Sequence, residues 1–322
     1  MPDAHVNSTS GLTEALANDA IRRVVLMPGT YELDANTNGT CSGNESPAAG
    51  SESWFCIDRA VTIEAAEAGT VELNAKEQKR LFFITGTGVA LIGLDITGGI
   101  AIQTNNWEPP IGGGVWIEGG EATLVNCNIF GNRAFGNTSS GVRGTGVGGG
   151  LFVGGPVLAR GRVALIGCNV HGNNASDGGG LFIAGGSTAN ISECSIVGNI
   201  ASFSGIGLGG GLRVDGSCTM TSSTIVGNSA LYLGGGLALT EGGSATLDRC
   251  TIDVNSARDG GGVSAVSGIL RMGDCALRSN RAGSLNRAEA DQPDVGGWGG
   301  TCMCGDGETY AVGDNNDGCA SL

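Results

Sequence analysis

Residues 178–201 read GGGLFIAGGSTANISECSIVGNIA. A glycine triplet leads into Leu181-Phe182-Ile183, a second alternation passes through Ala189 and Ile191, and the stretch closes on Cys194-Ser195-Ile196-Val197-Gly198-Asn199-Ile200-Ala201. Apolar residues two apart, bounded by glycine, read as short strands joined by turns. The closing unit, Cys/Ser-x-aliphatic-x-x-Asn-x-Ala, occurs six times, at Cys127 with Asn132, Cys168 with Asn173, Cys194 with Asn199, Ser223 with Asn228, Cys250 with Asn255 and Cys275 with Asn280. Successive asparagines lie 41, 26, 29, 27 and 25 residues apart. Such a period, read as strand, turn, strand, turn with no room for a helix, fits a parallel β-coil whose turns stack roughly 4.8 Å apart.

Stacking dictates which residues meet. Alternation sends Leu181, Ile183, Ile191, Cys194 and Ile196 inward in one rung, and Leu237, Leu239, Leu247, Cys250 and Ile252 two rungs on. The repeated asparagines belong at a turn, where their amides stack as a ladder against backbone groups. Weaker units upstream, at Val24 to Leu33, Val61-Thr62-Ile63 and Phe82-Phe83-Ile84, bring the total to nine or ten rungs. An exposed rod end needs a cap. Residues 11–21 place Leu12, Leu16, Ala20 and Ile21 on one helical face behind Ser10 as N-cap. The expected organisation is an N-terminal cap over 1–22, a β-helix over 23–290 and a Cys- and Gly-rich tail over 291–322.

Composition agrees. Glycine supplies 61 of 322 residues, far above ordinary usage, while 40 % hydrophobic content excludes a disordered chain and the lack of a three-residue glycine period excludes collagen. A net charge of −14 disfavours nucleic acid and anionic membranes as partners, and no apolar run is long enough to span a bilayer. Eleven cysteines and the sequons at Asn7, Asn38, Asn44, Asn137, Asn174 and Asn190 favour an oxidising, extracellular or cell-surface location. The chain shows no leader of its own, so a leader or parent chain is expected to be missing.

The alternation of aliphatic-x-x-Asn-x-Ala with Gly-Gly-Gly-aliphatic over residues 110–285 resembles the polymorphic outer-membrane-protein repeat of chlamydial adhesins and their algal relatives, with its paired Phe-x-x-Asn and Gly-Gly-Ala-Ile signatures. Here Ile, Val or Leu replaces the usual Phe, and Gly usually replaces the Ala. The resemblance implies an all-β, right-handed parallel β-helix of the pectin-lyase-like type, and with it surface exposure or adhesion.

Cys127, Cys168, Cys194, Cys250 and Cys275 share one repeat position, where a ladder of buried thiols is expected, strained rung-to-rung disulfides and metal binding being the alternatives. Cys41 and Cys56 flank the first insertion and are expected to pair. Cys302, Cys304 and Cys319 cannot all pair among themselves, which leaves one to bond Cys218 or a partner outside this sequence. No cofactor is implied; residues 314–318, Asp-Asn-Asn-Asp-Gly, fall one residue short of a calcium loop.

Catalytic groups are sparse. His5 and His171 are the two histidines, and His171 reads as a surface turn residue. Asp215, Asp248, Asp253, Asp259 and Asp274, with Arg213, Arg249, Arg258 and Arg271, fall at different repeat positions and read as a solvated face. Residues 76–80 form a second basic cluster, and Asp215 with Arg213 is where a hidden active site would be sought. One row stands out. In the strand after each glycine segment the central residues run Phe83, Trp116, Phe152, Phe182, Arg213, Ala238, Ser264, and they face away from the core. Four stacked aromatics give an apolar strip suited to sugar rings or a protein surface, unless the insertions 97–111, 133–147 and 200–208 cover it. The function expected is a non-catalytic extracellular structural or adhesive module, a candidate part of a larger surface assembly, binding glycan or another surface protein through Phe83, Trp116, Phe152, Phe182 and Arg213. The alternative is a polysaccharide lyase, hydrolase or epimerase acting in the same groove. Ice binding is set aside because no repeat position is regularly Thr.

Overall fold

The computed structural model describes residues 3–34, 37, 39–41, 53–102, 109–135, 146–155, 159–202 and 207–283, together with the backbone of Val295–Gly296, Gly300–Met303 and Thr309–Val312. One rung shows the plan: Leu181–Ile183, Thr188–Ser192, Ser195–Val197 and Ile200–Ala201. Repeated along the chain, these strands build four parallel sheets, here the first to the fourth, of nine, twelve, nine and seven strands. The chain is a parallel β-helix of about ten rungs.

Each repeat therefore carries four strands where two were expected. The corners responsible are single residues. Glu193 (φ 56°) and Gly198 (φ 61°) sit in the left-handed region, and equivalent residues recur at 126, 167, 222, 249 and 274, and at 131, 172, 227, 254 and 279. One such residue turns the chain sharply without a loop, so a corner can hide inside an apparently continuous alternation.

Inside, Leu181, Ile183, Ile191, Cys194 and Ile196 are buried and stack on their counterparts above and below, as the alternation requires. At one corner the six asparagines form a continuous ladder. Asn199 Oδ1 accepts from both the backbone N–H and the Nδ2 of Asn173 at 3.0 Å, while Asn199 Nδ2 donates to the Val170 carbonyl at 2.9 Å and to Asn228 Oδ1 at 3.0 Å. The same bonds link Asn132, Asn228, Asn255 and Asn280 into the row, so these buried amides leave no polar group unpaired. At the other corner Cys127, Cys168, Cys194 and Cys250 are buried free thiols, Cys275 is a partly buried one, and the Cys194 thiol donates to the Ser192 carbonyl at 3.1 Å. Ser223 makes the same bond to Thr221 at 2.7 Å.

Each glycine of a triplet has its own reason. Gly148 has φ 65°, a Cβ on Gly149 would lie 2.4 Å from the Gly179 carbonyl oxygen, and one on Gly150 would press on Asn173 of the amide ladder at 2.9 Å.

At the N-terminus, the strand Asp3–Val6 pairs with Arg23–Leu26, and the helix Thr9–Ala17 buries Leu12, Ala15 and Leu16 against the first rungs. Two details correct the sequence reading. The N-cap is Ser8, whose hydroxyl accepts the Gly11 N–H at 3.2 Å, and not Ser10. The helix also stops before Ala20 and Ile21, because Asn18 Oδ1 takes the Ala20 N–H at 3.0 Å and Arg59 donates to the carbonyls of Leu16, Asn18 and Ile21. At the other end the sequence repeat lapses, yet Val295–Gly296 and Gly300–Met303 extend the first and second sheets, and Thr309–Val312 returns antiparallel.

Candidate functional site: the outward row of the first sheet

The row exists as expected: Phe83, Trp116, Phe152, Phe182, Arg213, Ala238 and Ser264 lie in parallel register on adjacent strands. It is not exposed. Trp116 is 0 % accessible, and Phe83, Phe152 and Phe182 reach only 6, 4 and 8 %. They form an apolar cluster of their own with Ile111 and Val147, apart from the main core. The cover comes from the residue preceding each glycine triplet. Ile111, Val147, Asp177, Leu208, Leu233 and Asp259 stack as a line of parallel bridges, and the left-handed first glycine folds that line back over the row. Gly178 passes so close that a Cβ there would lie 2.8 Å from Phe182 Cβ. Strand alternation places a side chain outside the coil but says nothing of what the next corner lays over it. The usable signal was the apolar residue ahead of four of the triplets, at 111, 147, 208 and 233.

Arginines bracket the aromatics. Arg80, fully buried, holds its guanidinium 4.8 Å from the Trp116 ring centre and donates to the carbonyls of Ile111 and Gly112 and to Ser53 Oγ. Burial draws its pKa down to about 9, against the pull of Glu118, which leaves it charged at neutral pH. Burial raises the Glu118 carboxyl, opposed by Arg80. The basic cluster expected at 76–80 is therefore not one: Arg80 is interior, Lys76 pairs with Glu32 at the surface, and Lys79 lies over the Trp54 ring.

Arg213 ends the aromatic run. Its guanidinium stacks 4.7 Å from the Phe182 ring centre, pairs with Asp177 at 3.0 Å and with Asp215 at 2.9 Å, and donates through Nε to Thr240 Oγ1 at 3.1 Å. Thr240 in turn donates to Asp215, and Asp177 accepts the Leu208 N–H at 2.9 Å. Arg213 and Asp215 are therefore not part of the solvated face expected of them. Asp177 stands in the covering line of the Phe182 rung and reaches across to Arg213 on the next, whose own covering residue is Leu208. Burial raises the Asp177 carboxyl above its usual range, outweighing the nearby Arg213 charge.

The remaining candidates fall apart in space. His171 stacks on Phe130 with ring centres 5.0 Å apart on the outer face of the third sheet, half-buried, and burial lowers its pKa. Arg249 pairs with Asp248, and Arg258 stacks on Tyr232. Cys41 and Cys56 form a disulfide. Cys218 is a buried free thiol, so it is not a partner of the tail cysteines; burial pushes it up to about 12. Asn7 and Asn190 are exposed and Asn174 is half-buried. Asn38, Asn44, Asn137, Cys304, Cys319, the 314–318 run and the side chain of Cys302 lie outside the described residues. Among the described residues no three His, Cys, Asp or Glu side chains are grouped to hold a metal, and no helix is long and apolar enough to cross a membrane.

Comparison with known proteins agrees with this architecture. Residues 155–290 match the family described as a right handed beta helix region. The alginate lyase of Paenibacillus sp. str. FPU-7 superposes with a TM-score of 0.50 at 14 % identity, over 88 % of this chain and 99 % of that one. Pectate lyase Pel9A gives 0.50 at 12 % identity, over 98 % of this chain and 79 % of that one. No curated protein matches the sequence. The fold is a right-handed parallel β-helix of the pectin-lyase-like kind, and at these identities the likeness speaks for the fold alone.

Proposed function

We propose that the chain is a non-catalytic structural and adhesive module of an extracellular surface, with a glycan or another surface protein as its partner. One observation carries this reading: the two arginines on and beside the outward row are each held by partners within the protein. Arg213 is held by Asp177, Asp215, Thr240 and Phe182, and Arg80 by backbone carbonyls, Ser53 and Trp116. A general acid or base must instead be free to reach a substrate proton. The disulfide and the likeness of the repeat to that of chlamydial adhesins support the surface setting.

The covered strip then serves as a second core, and contact falls to another face. On the outer side of the second sheet Thr188 aligns with Ser217, and Asn190 with Thr219 and Thr246, all exposed. Neutral hydrogen-bonding groups at strand spacing suit a hydroxyl-rich glycan. The test is retention of the full chain on neutral polysaccharides and a glycan array. The double substitution Thr219→Arg with Thr246→Arg should abolish retention with the fold intact; unchanged retention, or none by the unaltered chain, counts against this reading.

A second reading, polysaccharide lyase, hydrolase or epimerase, draws on one observation, the gathering of Asp177 and Asp215 around Arg213. The alginate and pectate lyases share its fold. Release of unsaturated product from alginate or pectate, lost on Arg213→Lys, would establish the lyase; saturated fragments or an altered uronate composition would mark the hydrolase or the epimerase.

A further inference from the structure

The outer face of the third sheet carries two rows of different character. In one, Asn128, Asn169, Ser195 and Thr224 stand in register, preceded by Glu72 and Asp95. In the other, the stacked rings of Phe130 and His171 are followed by Val197 and Val226, and the row passes through Asp253 to Arg278. These rings and valines point away from the core and are half-buried. Val254 and Ile200, 56 and 40 % exposed, border them on the side of the fourth sheet. The face is also graded in charge. At its N-terminal end Glu72 and Asp95 accept from the side-chain amides of Asn74 at 3.0 Å and Asn128 at 2.6 Å, and neither forms an ion pair among the described residues. At the far end Arg278 and Arg281 are exposed and likewise form no ion pair among the described residues, although Asp253 borders Arg278 in register.

We propose that this face is a self-association surface, on which two copies of the chain pack antiparallel, third sheet against third sheet. Glu72 lies three rungs before His171, and Arg278 three rungs after Val197. A half-turn about an axis lying across the rod between the His171 and Val197 rungs therefore maps the face onto itself in reverse order, as an isologous pair requires. His171 then meets Val197 of the second copy, and Phe130 meets its Val226, so the apolar row is covered by itself. The polar row likewise falls on itself, Asn169 against Ser195 and Asn128 against Thr224. Glu72 comes beside Arg278 of the second copy at both ends of the contact, which gives two unpaired carboxylates and two unpaired guanidiniums their counter-charges. Parallel packing of the same faces would instead set Arg278 on Arg278 and the polar row on the apolar one. From Glu72 to Arg278 is seven strand spacings, about 34 Å, the breadth of an interface of about 800 Å² per partner. The second sheet stays outside the contact, so the inference is independent of the glycan surface proposed above.

The experiment is sedimentation velocity on the full chain over a concentration series, with circular dichroism to check the fold of each variant. The unaltered chain should show a reversible monomer–dimer equilibrium that weakens as salt is raised. Val197→Arg, beside the axis, should leave monomer alone. Arg278→Glu and Glu72→Arg should each raise the dissociation constant about tenfold or more, because each sets like charges together at both ends. An equimolar mixture of these two charge variants should associate as tightly as the unaltered chain, since every reversed charge then meets the other. A loss of local structure would not be repaired by mixing, so this arm decides the matter even if Val197→Arg fails to fold. A chain that is monomeric throughout the series overturns the proposal. So does a dimer that a folded Val197→Arg leaves intact, or a mixture that shows no recovery.

Discussion

Two rows of side chains run along this rod on opposite plans. The asparagine row is the same at every one of its six rungs, whereas the outward row begins as Phe83, Trp116, Phe152 and Phe182, turns to Arg213 and fades into Ala238 and Ser264. An amide carries donor and acceptor in one plane, so each Asn completes the one before it and is completed by the one after. Any other residue in the row breaks two rungs. An aromatic ring needs only contact, so its row can stop anywhere, provided the last ring is closed by a suitable neighbour. Arg213 supplies that closure, lying flat on Phe182 while two aspartates match its charge.

The contrast can be broken most forcefully at Trp116. Its ring is fully buried and its Nε1 donates to the Gly154 carbonyl at 2.7 Å, so Trp116→Ala should cost about 3 to 5 kcal/mol in urea unfolding. A cost below about 1 kcal/mol would mean that the cover is loose and the strip open to ligand. Asn199→Leu comes next. It strands the Asn173 N–H and takes a donor from the Val170 carbonyl, while Asn228 Oδ1 keeps the backbone N–H of residue 199, and a loss of about 3 kcal/mol is expected, since each orphaned group costs about 1 to 3 kcal/mol. Equal losses from Asn199→Leu and a conservative Asn199→Ser would sink the idea that the two-sided amide matters.

Smaller effects sharpen the picture. Val254 is a β-branched residue at φ 55°, 56 % exposed, at a corner where the other rungs mostly use glycine. Val254→Gly should stabilise the rod by about 0.5 to 1 kcal/mol, the relief of left-handed strain exceeding the added freedom of the unfolded chain. A lower melting temperature would contradict this. The last prediction concerns the acidic end of the row. Burial raises the folded-state pKa of Asp177 above its unfolded value, so the native state holds this proton more tightly. Stability from this group is then greatest below the unfolded pKa and declines as pH rises through the folded one. Unfolding curves of the unaltered chain and Asp177→Asn, compared from acid to neutral pH, should diverge in that window, the unaltered chain losing stability relative to the variant as pH rises. Parallel profiles would remove Asp177 from the account.

The regular parts were readable in advance because they repeat. The six-fold Cys/Ser and Asn spacing, the glycine triplets and the inward aliphatics each state a local rule many times, and the structure stacks them as the period demands. Errors fell where one residue decides: the left-handed corners at Glu193 and Gly198, the cap at Ser8 and the helix stop at Asn18.

By itself the sequence determined the coil, its rung count, the amide and thiol ladders and the position of the outward row, since all of these follow from periodicity and side-chain alternation. Only the tertiary structure decided that the aromatics are a second core and that Asp177 reaches Arg213 from 36 residues away. Periodicity fixes which way a side chain leaves its strand, but cover, ion pairing and access depend on what the neighbouring corner carries over it.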